Sequence, residues 1–290
     1  YTGFKNLLIN GGFDVWQRGT SFTNPAVTYT ADRYISWTSN SNSVVSLINA
    51  TSGYGLYDIQ YANASLCAFS LLQRIEAINS VHFSGKVVTF SARVKTGTST
   101  NVVLRCFNPT VIDNYTVENQ HFSVNIAVTA GVWTNISYTF TADSESWKGF
   151  GFDLSAISDT SFSVGYIQLE QGSVATPFEQ RPYGLELSLC QRYYEVISRK
   201  LFSTAAAGFG GNTYFNNMSF YDKRVIPIIT LYDSSNNVNK VTLYQSATGT
   251  DNVTYILETS STTNTNIVAH GFTDYGMGAI NKAILDAEIY

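Results

Sequence analysis

Histidines, cysteines and paired carboxylates are the groups through which this chain could do chemistry, and their spacing argues against most of it. His82, His121 and His270 lie far apart without a partner motif, so none reads as a base or a ligand. Cys67, Cys106 and Cys190 form no CxxC pair and no metal spacing, which favours free buried thiols over a zinc site or a disulfide framework. The nearest glycine-serine element, Gly172–Ser173, is not a nucleophile elbow. The glycines of 208–211 follow an expected helix instead of opening one, so no phosphate-binding loop is present. Glycan cleavage needs two carboxylates about 5 Å or about 6.5–9.5 Å apart. Asp14 with Asp32, Asp143 with Glu145, and Asp153 with Asp159 are the candidate pairs. None is tied by sequence to an aromatic cleft, and Asp14 and Asp32 stand near Arg18 and Arg33, where a structural ion pair is the simpler role. A non-catalytic chain is the expectation.

Binding is better served. Sugars need an exposed ring flanked by groups that satisfy hydroxyls in both directions. Three segments offer this. Tyr54, Tyr57, Asp58, Gln60, Tyr61 and Asn63 read as a strand-to-strand connection; Tyr214, Phe215, Asn216 and Asn217 open the last third; Trp147 and Lys148 sit in a polar turn. The competing reading of each is aromatic packing under a loop or between subunits. Aromatics make up 14% of the 290 residues, most of them needed for strands and core. Charged residues are only 13%, against ~25% in a typical soluble protein. The net charge is −4 with no basic run, which disfavours nucleic acid and suits a neutral ligand. No apolar run approaches a membrane span, so no insertion is expected. Triplets such as Asn63–Ala64–Ser65 and Asn252–Val253–Thr254 are expected by chance at this composition.

These residues must be positioned by strands. In Lys86–Lys95 the side chains of Val88, Phe90, Ala92 and Val94 alternate with Thr89, Ser91, Arg93 and Lys95. Ile136, Tyr138, Phe140 and Ala142 repeat the pattern, as do Phe150, Phe152 and Leu154, with Gly165 a bulge before Ile167 and Leu169. Further strands are expected at Arg33–Thr38, Val44–Asn49, Leu66–Arg74 and Val102–Phe107, with loops at Ser39–Ser43 and Asn108–Glu118. An all-β, antiparallel β-sandwich follows. After Pro182, helical spacing of Leu185, Leu189, Tyr193 and Val196 predicts a helix over Leu185–Ile197. A flexible loop at Ser198–Gly211 and a second smaller β-domain complete the layout: residues 1–183, a connecting helix in 184–200, and 201–290. Expected strands of the last part are Thr213–Tyr221, Pro227–Tyr232, Lys240–Gln245, Val253–Thr259, Asn266–Ala269 and Ala279–Ile289, with Pro227 at a strand start or an edge.

Two motifs carry a resemblance. NGGFDVWQRG (Asn10–Gly19) with ADRY (Ala31–Tyr34), and QLEQGSVATPFEQRP (Gln168–Pro182) followed by LCQRYYE (Leu189–Glu195), resemble the distal modules of bacteriophage tail-fibre and related virion adhesion proteins. The closing DAEIY resembles the carboxyl terminus of phage fibre tip domains, while Tyr1 in place of Met suggests that an upstream part is missing. The resemblance implies a jelly roll like that of carbohydrate-binding modules, a C-terminal tip domain, and a homotrimer. It further implies assembly in the host cytoplasm, other virion tail proteins as partners through the upstream part, and attachment to host-surface glycan or lipopolysaccharide. Asp14, Trp16, Arg18, Asp32, Arg33 and Glu170 are its structural motif residues. Jelly rolls of this kind often hold a structural calcium, which Asp14 and Glu170 could serve. The related motif has Asn or Asp where this chain has Gly12, and Trp where it has Tyr34, so a domain without cofactor or metal is expected. Alternative readings are a purely structural virion appendage and a depolymerase tailspike; no long parallel β-helix repeat supports the latter.

Overall fold

The computed structural model describes residues 4–49, 57–205, 212–245, 248–253, 255–270 and 277–290. They fall into two units, Tyr1–Leu187 with Ile289–Tyr290, and Ser188–Glu288. The break lies four residues beyond the expected end of the first domain, inside the helix.

The strands of the first unit are β1 (Ser21–Thr23), β2 (Thr28–Tyr29), β3 (Ile35–Thr38), β4 (Val44–Asn49), β5 (Tyr57–Ile75), β6 (Val87–Thr96), β7 (Asn101–Val111), β8 (Asn114–Ala127), β9 (Thr134–Thr141) and β10 (Phe150–Gln171). All their pairings are antiparallel. Two long strands organise them. β5 and β10 pair along their length, with register shifts between Ala156 and Ser161 that turn a corner. Beyond the corner, the first half of β5 and the second half of β10 lie in a face ordered β1-β4-β5-β10-β6-β9. Before it, the other halves lie in a face ordered β2-β3-β5-β10-β7-β8. The two faces make the antiparallel jelly-roll sandwich.

Alternation decides which side chains fill it. Val88, Phe90, Ala92 and Val94 of β6, Phe150, Phe152 and Leu154 of β10, and Phe69 and Leu71 of β5 all enter one buried cluster. The corner is tied by Asp159, whose carboxylate accepts the backbone N–H groups of Gly97, Thr98, Ser99, Thr160 and Ser161. Burial opposes its ionisation, but these donors outweigh burial and hold its pKa below the usual carboxylate value.

Several expected boundaries are corrected. Asn108–Glu118 is no long loop; β7 and β8 pair to their ends, Val111 opposite Asn114. Tyr57–Asn63 is not a connection between strands but the start of β5. Tyr54 and the rest of 50–56 lie outside the described residues.

The helix at the break is shorter than predicted. It spans Tyr183–Gln191, and β11 (Tyr194–Ala205) begins where Tyr193 and Val196 suggested a further turn. Ser198–Ala205 is therefore strand, not loop. The cause is distant in sequence: β18 (Met277–Asp286) supplies a ladder from Tyr194 opposite Asp286 to Ser203 opposite Met277, and non-local pairing overrides local period. The remaining strands are β12 (Asn212–Ser219), β13 (Ile228–Tyr232), β14 (Val241–Gln245), β15 (Thr248–Val253), β16 (Tyr255–Ser260) and β17 (Asn264–His270). β13 starts just after Pro227 and pairs with β18. A smaller core includes Leu231, Ile280, Ala283 and Leu285. Lys223 is buried here against Glu195 at 2.5 Å, and burial pulls its pKa down. Among the described residues no helix is long and apolar enough to cross a membrane.

Candidate functional site

The motif residues form a clasp. The Asn10 side chain, its backbone at φ 60°, accepts from Val15 N and donates to the Val15 and Asp32 carbonyls. Gly11 passes so close to Ile167 that a Cβ would lie 2.2 Å from its carbonyl oxygen, so no side chain fits. Asp32 accepts from Gln17 N and lies 3.8 Å from Arg18; Trp16 donates to the Phe13 carbonyl. Arg33 is buried in the left-handed region and donates to the Arg74 carbonyl. From the second motif, Glu170 accepts from Gln168 and from Thr176 N and Oγ1. Glu179 accepts from Asn6 N, and Arg181 donates to the Leu8 carbonyl and pairs with Glu186. These two stretches thus close the N-terminal segment onto the end of β10. Asp14 is left with a buried Oδ1 that accepts no hydrogen bond. Burial, and then Glu186, push its carboxyl up to about 6. Among the described residues no cluster of three or more His, Cys, Asp or Glu side chains could hold a metal.

The expected sugar contacts are not brought together. Tyr61 is fully buried in the core, its hydroxyl near Ser36 and bonded to the Ser70 carbonyl, and Tyr57 packs against the same core. Asp58, 0% exposed, accepts both hydrogen bonds of Arg93, which lies between the Trp133 and Tyr166 rings. Tyr61 and Asp58 are therefore corrected from ligand contacts to structural groups, because the strand that carries them faces the core on one side and this ion pair on the other. Gln60 is half-buried on β5, and Trp147 is exposed on the 3-10 turn Ser144–Lys148, under Lys148. Tyr214, Phe215, Asn216 and Asn217 lie on β12. Of the carboxylate pairs, Asp143 caps the 3-10 turn by accepting Glu145 N, and Asp159 is committed to the corner.

What the structure offers is a groove of about 500 Å³ on the outer side of the second face. It is lined by Val27, Ile35, Trp37, Ala68, Phe69, Ser70, Leu72, Arg74, Arg105, Asp153, Ser155 and Ile157. Register places most of these in rows across the strands. Ile35, Leu72, Asp153 and Arg105 are neighbours from β3 through β5 and β10 to β7. Trp37, Ser70 and Ser155 form the next row. With strands ~4.8 Å apart, β3 and β7 are about 14 Å from one another. The groove thus has an apolar end at Trp37 (38% exposed), Val27 and Ile35, and a charged end at Arg105 and Asp153.

At the charged end Ser70 Oγ donates to Asp153 Oδ1 at 2.6 Å. Arg105 lies 3.6 Å from Asp153 and 3.7 Å from Glu118, outside hydrogen-bond range, with its guanidinium over the Phe107 ring. Arg74 is held by Glu118 at 3.2 Å, by the Ile289 carbonyl at 3.0 Å and over the Tyr115 ring. Burial raises the pKa of Asp153 against the opposing pull of Ser70 and Arg105. At the apolar end, Val27 adopts φ 52° while 68% exposed. That conformation is uncommon for a β-branched residue and is held here by the chain around it.

Such a surface can stack a flat apolar ring at Trp37 and bond hydroxyls at Asp153, Ser70 and Arg105. Sequence reasoning passed over Trp37, Arg74 and Arg105. Their signal was outward alternation: Ser70, Leu72 and Arg74 interleave with buried Phe69, Leu71 and Gln73.

No known family profile matches the chain, and no curated protein matches it. Among solved structures it is similar to the enzymatically active domain of tailspike protein 4 of bacteriophage CBA120, at 8% identity and a TM-score of 0.41, over 58% of this chain and 21% of that one. A second is the N-terminal CBM22-1–GH10 part of Clostridium thermocellum xylanase 10B with xylohexaose, at 16% identity and 0.37, over 56% and 29%. A third is TmCBM61 with β-1,4-galactotriose, at 14% identity and 0.35, over 58% and 100%. The chain therefore spans about a fifth of the tailspike chain and under a third of the xylanase chain.

Proposed function

We propose that this chain is an attachment protein of a bacteriophage virion whose first unit holds a host-surface glycan in the groove and does not cleave it. The observation that carries the glycan reading is the groove itself: an accessible Trp37 at one end, polar side chains in register at the other, and a span of three inter-strand spacings from β3 to β7. Its length suits an extended oligosaccharide lying across the strands. Cleavage is disfavoured because Asp153 is the one carboxylate among the groove's described lining residues, where hydrolysis takes two. The virion reading rests on the two clasp motifs and their resemblance to tail-fibre modules. Trimeric assembly, which that resemblance implies, would raise effective concentration at a polyvalent surface and make weak single sites sufficient.

Titration of the purified chain with neutral oligosaccharides and a pull-down on host cells test this. The expected result is saturable binding that Trp37→Ala removes, with no reducing ends released. Binding untouched by Trp37→Ala would move the site elsewhere, and release of reducing ends would make the protein a depolymerase.

A further inference from the structure

The charged end of the groove, if the glycan reading holds, also says which chemistry the ligand presents there. We infer that Arg105 and Asp153 together read two neighbouring hydroxyls of one neutral sugar ring, and that acidification releases the ligand.

Two groups of opposite sign stand opposite each other on adjacent strands without closing on one another. Arg105, a third exposed, comes no nearer than 3.6 Å to Asp153 and 3.7 Å to Glu118. Among the described residues its guanidinium makes no hydrogen bond, so its donors are uncommitted. Its guanidinium carbon lies 4.6 Å from the centroid of the Phe107 ring. Asp153 has one oxygen taken by Ser70 and leaves Oδ2 as an acceptor toward Arg105. A donor and an acceptor this close match adjacent hydroxyls, one accepting from Arg105 and the other donating to Oδ2, because each hydroxyl can do either. A ligand carboxylate fits worse. It would approach Arg105 between two like charges, Asp153 and Glu118, while Arg74 is already held by Glu118 and the Ile289 carbonyl.

Acid sensitivity follows from the same geometry. The hydroxyl that donates to Oδ2 needs Asp153 ionised, and protonation replaces that acceptor with a competing donor. The groups facing Asp153 are Arg105 on β7, Ser70 on β5, and, through Arg105, Glu118 on β8 and Arg74 on β5; Tyr61 and Cys106 lie on the core side with their own ionisation suppressed by burial. Burial raises the Asp153 pKa, so affinity falls at a higher pH than an ordinary carboxylate would set.

The test titrates neutral xylo-, gluco-, manno- and galacto-oligosaccharides and, separately, oligogalacturonate, from about pH 7.5 down to about pH 4. The inference expects a neutral probe to bind with little salt dependence and to weaken as pH falls. Asp153→Asn should lower affinity about tenfold to a hundredfold and flatten the pH profile, since a charge-assisted bond is lost. Ser70→Ala removes the donor that favours the ionised form, so it should shift the acid limb to higher pH while the fold is kept. Tighter binding of oligogalacturonate, strengthening on acidification, overturns the inference. If Trp37→Ala abolishes binding but Asp153→Asn changes neither affinity nor pH profile, the inference falls and the groove reading stands. Indifference to Trp37→Ala, or no binding by any probe, overturns both.

Discussion

The two outer faces of the first unit each carry an Arg–Asp pair, one reaching from β6 to β5 across the intervening β10 and the other joining the directly paired β7 and β10, and the pairs differ in everything but composition. Arg93 and Asp58 meet at 2.7 Å under the Trp133 and Tyr166 rings, with Asp58 wholly buried. Arg105 and Asp153 stand 3.6 Å apart at the end of an open groove. Burial raises the pKa of both aspartates, but only the closed pair is bonded by its arginine. The lesson is that the same residue types serve structure where a roof excludes water and ligand, and recognition where the roof is missing. β5 and β10 supply both aspartates or their neighbours, because each long strand turns the corner from one face to the other.

The comparison can be broken first at the closed pair. Asp58→Asn leaves Arg93 a buried cation without its counter-charge and should cost about 3–5 kcal/mol of unfolding free energy, measured by urea titration. Asp153→Asn, by contrast, should change stability by less than about 1 kcal/mol, as expected for a long, partly exposed pair. Equal losses from both substitutions would refute the distinction between the faces. Next in size is the apolar end of the groove: Trp37→Ala should weaken glycan binding by at least about 2 kcal/mol, measured by calorimetric titration, while the melting temperature hardly moves.

A smaller effect separates strain from packing. Val27→Gly relieves an uncommon backbone conformation, so thermal melting should show a stabilisation of up to about 1 kcal/mol, with weaker binding as the rim loses its side chain. Destabilisation would mean that Val27 is held by packing and carries no strain. Smallest is Asp14, away from either pair. Its folded pKa of about 6 exceeds the ordinary 3.8, so the folded state holds this proton more tightly than the unfolded chain. Stability from this group is present below about pH 4 and is lost as pH rises through about 6. Asp14→Asn should therefore raise the urea midpoint at pH 8 and leave it unchanged below pH 4. The gain is modest because the carboxyl is only half-buried and water screens it.

Much of this was legible from local pattern. Alternation in Lys86–Lys95 assigned Val88, Phe90, Ala92 and Val94 to the core, where they lie. Arg18 and Arg33 beside Asp14 and Asp32 suggested a structural ion pair; Asp32 does lie 3.8 Å from Arg18, whereas Asp14 keeps a buried Oδ1 that accepts no hydrogen bond. The helix after Pro182 exists but starts two residues before the expected Leu185 and ends early, because Tyr194–Ser203 finds its partner strand about eighty residues away. Tyr61 illustrates the opposite error. Its polar neighbours suggested a surface, yet its place in β5 turns it inward, where burial raises its hydroxyl pKa far above the ordinary value.

From the sequence alone come the antiparallel strands, the inward and outward sets along each, the sparse charge that suits a neutral ligand, and the motifs that close the clasp. All of these depend on period, composition or contacts between recognisable segments. Which outward residues become neighbours is a matter of register, and register joins Ile35, Leu72, Asp153 and Arg105 across 118 residues of chain through pairings that no local window contains. Whether such a row is roofed or open depends in turn on what packs above it. The groove therefore exists only in the tertiary structure.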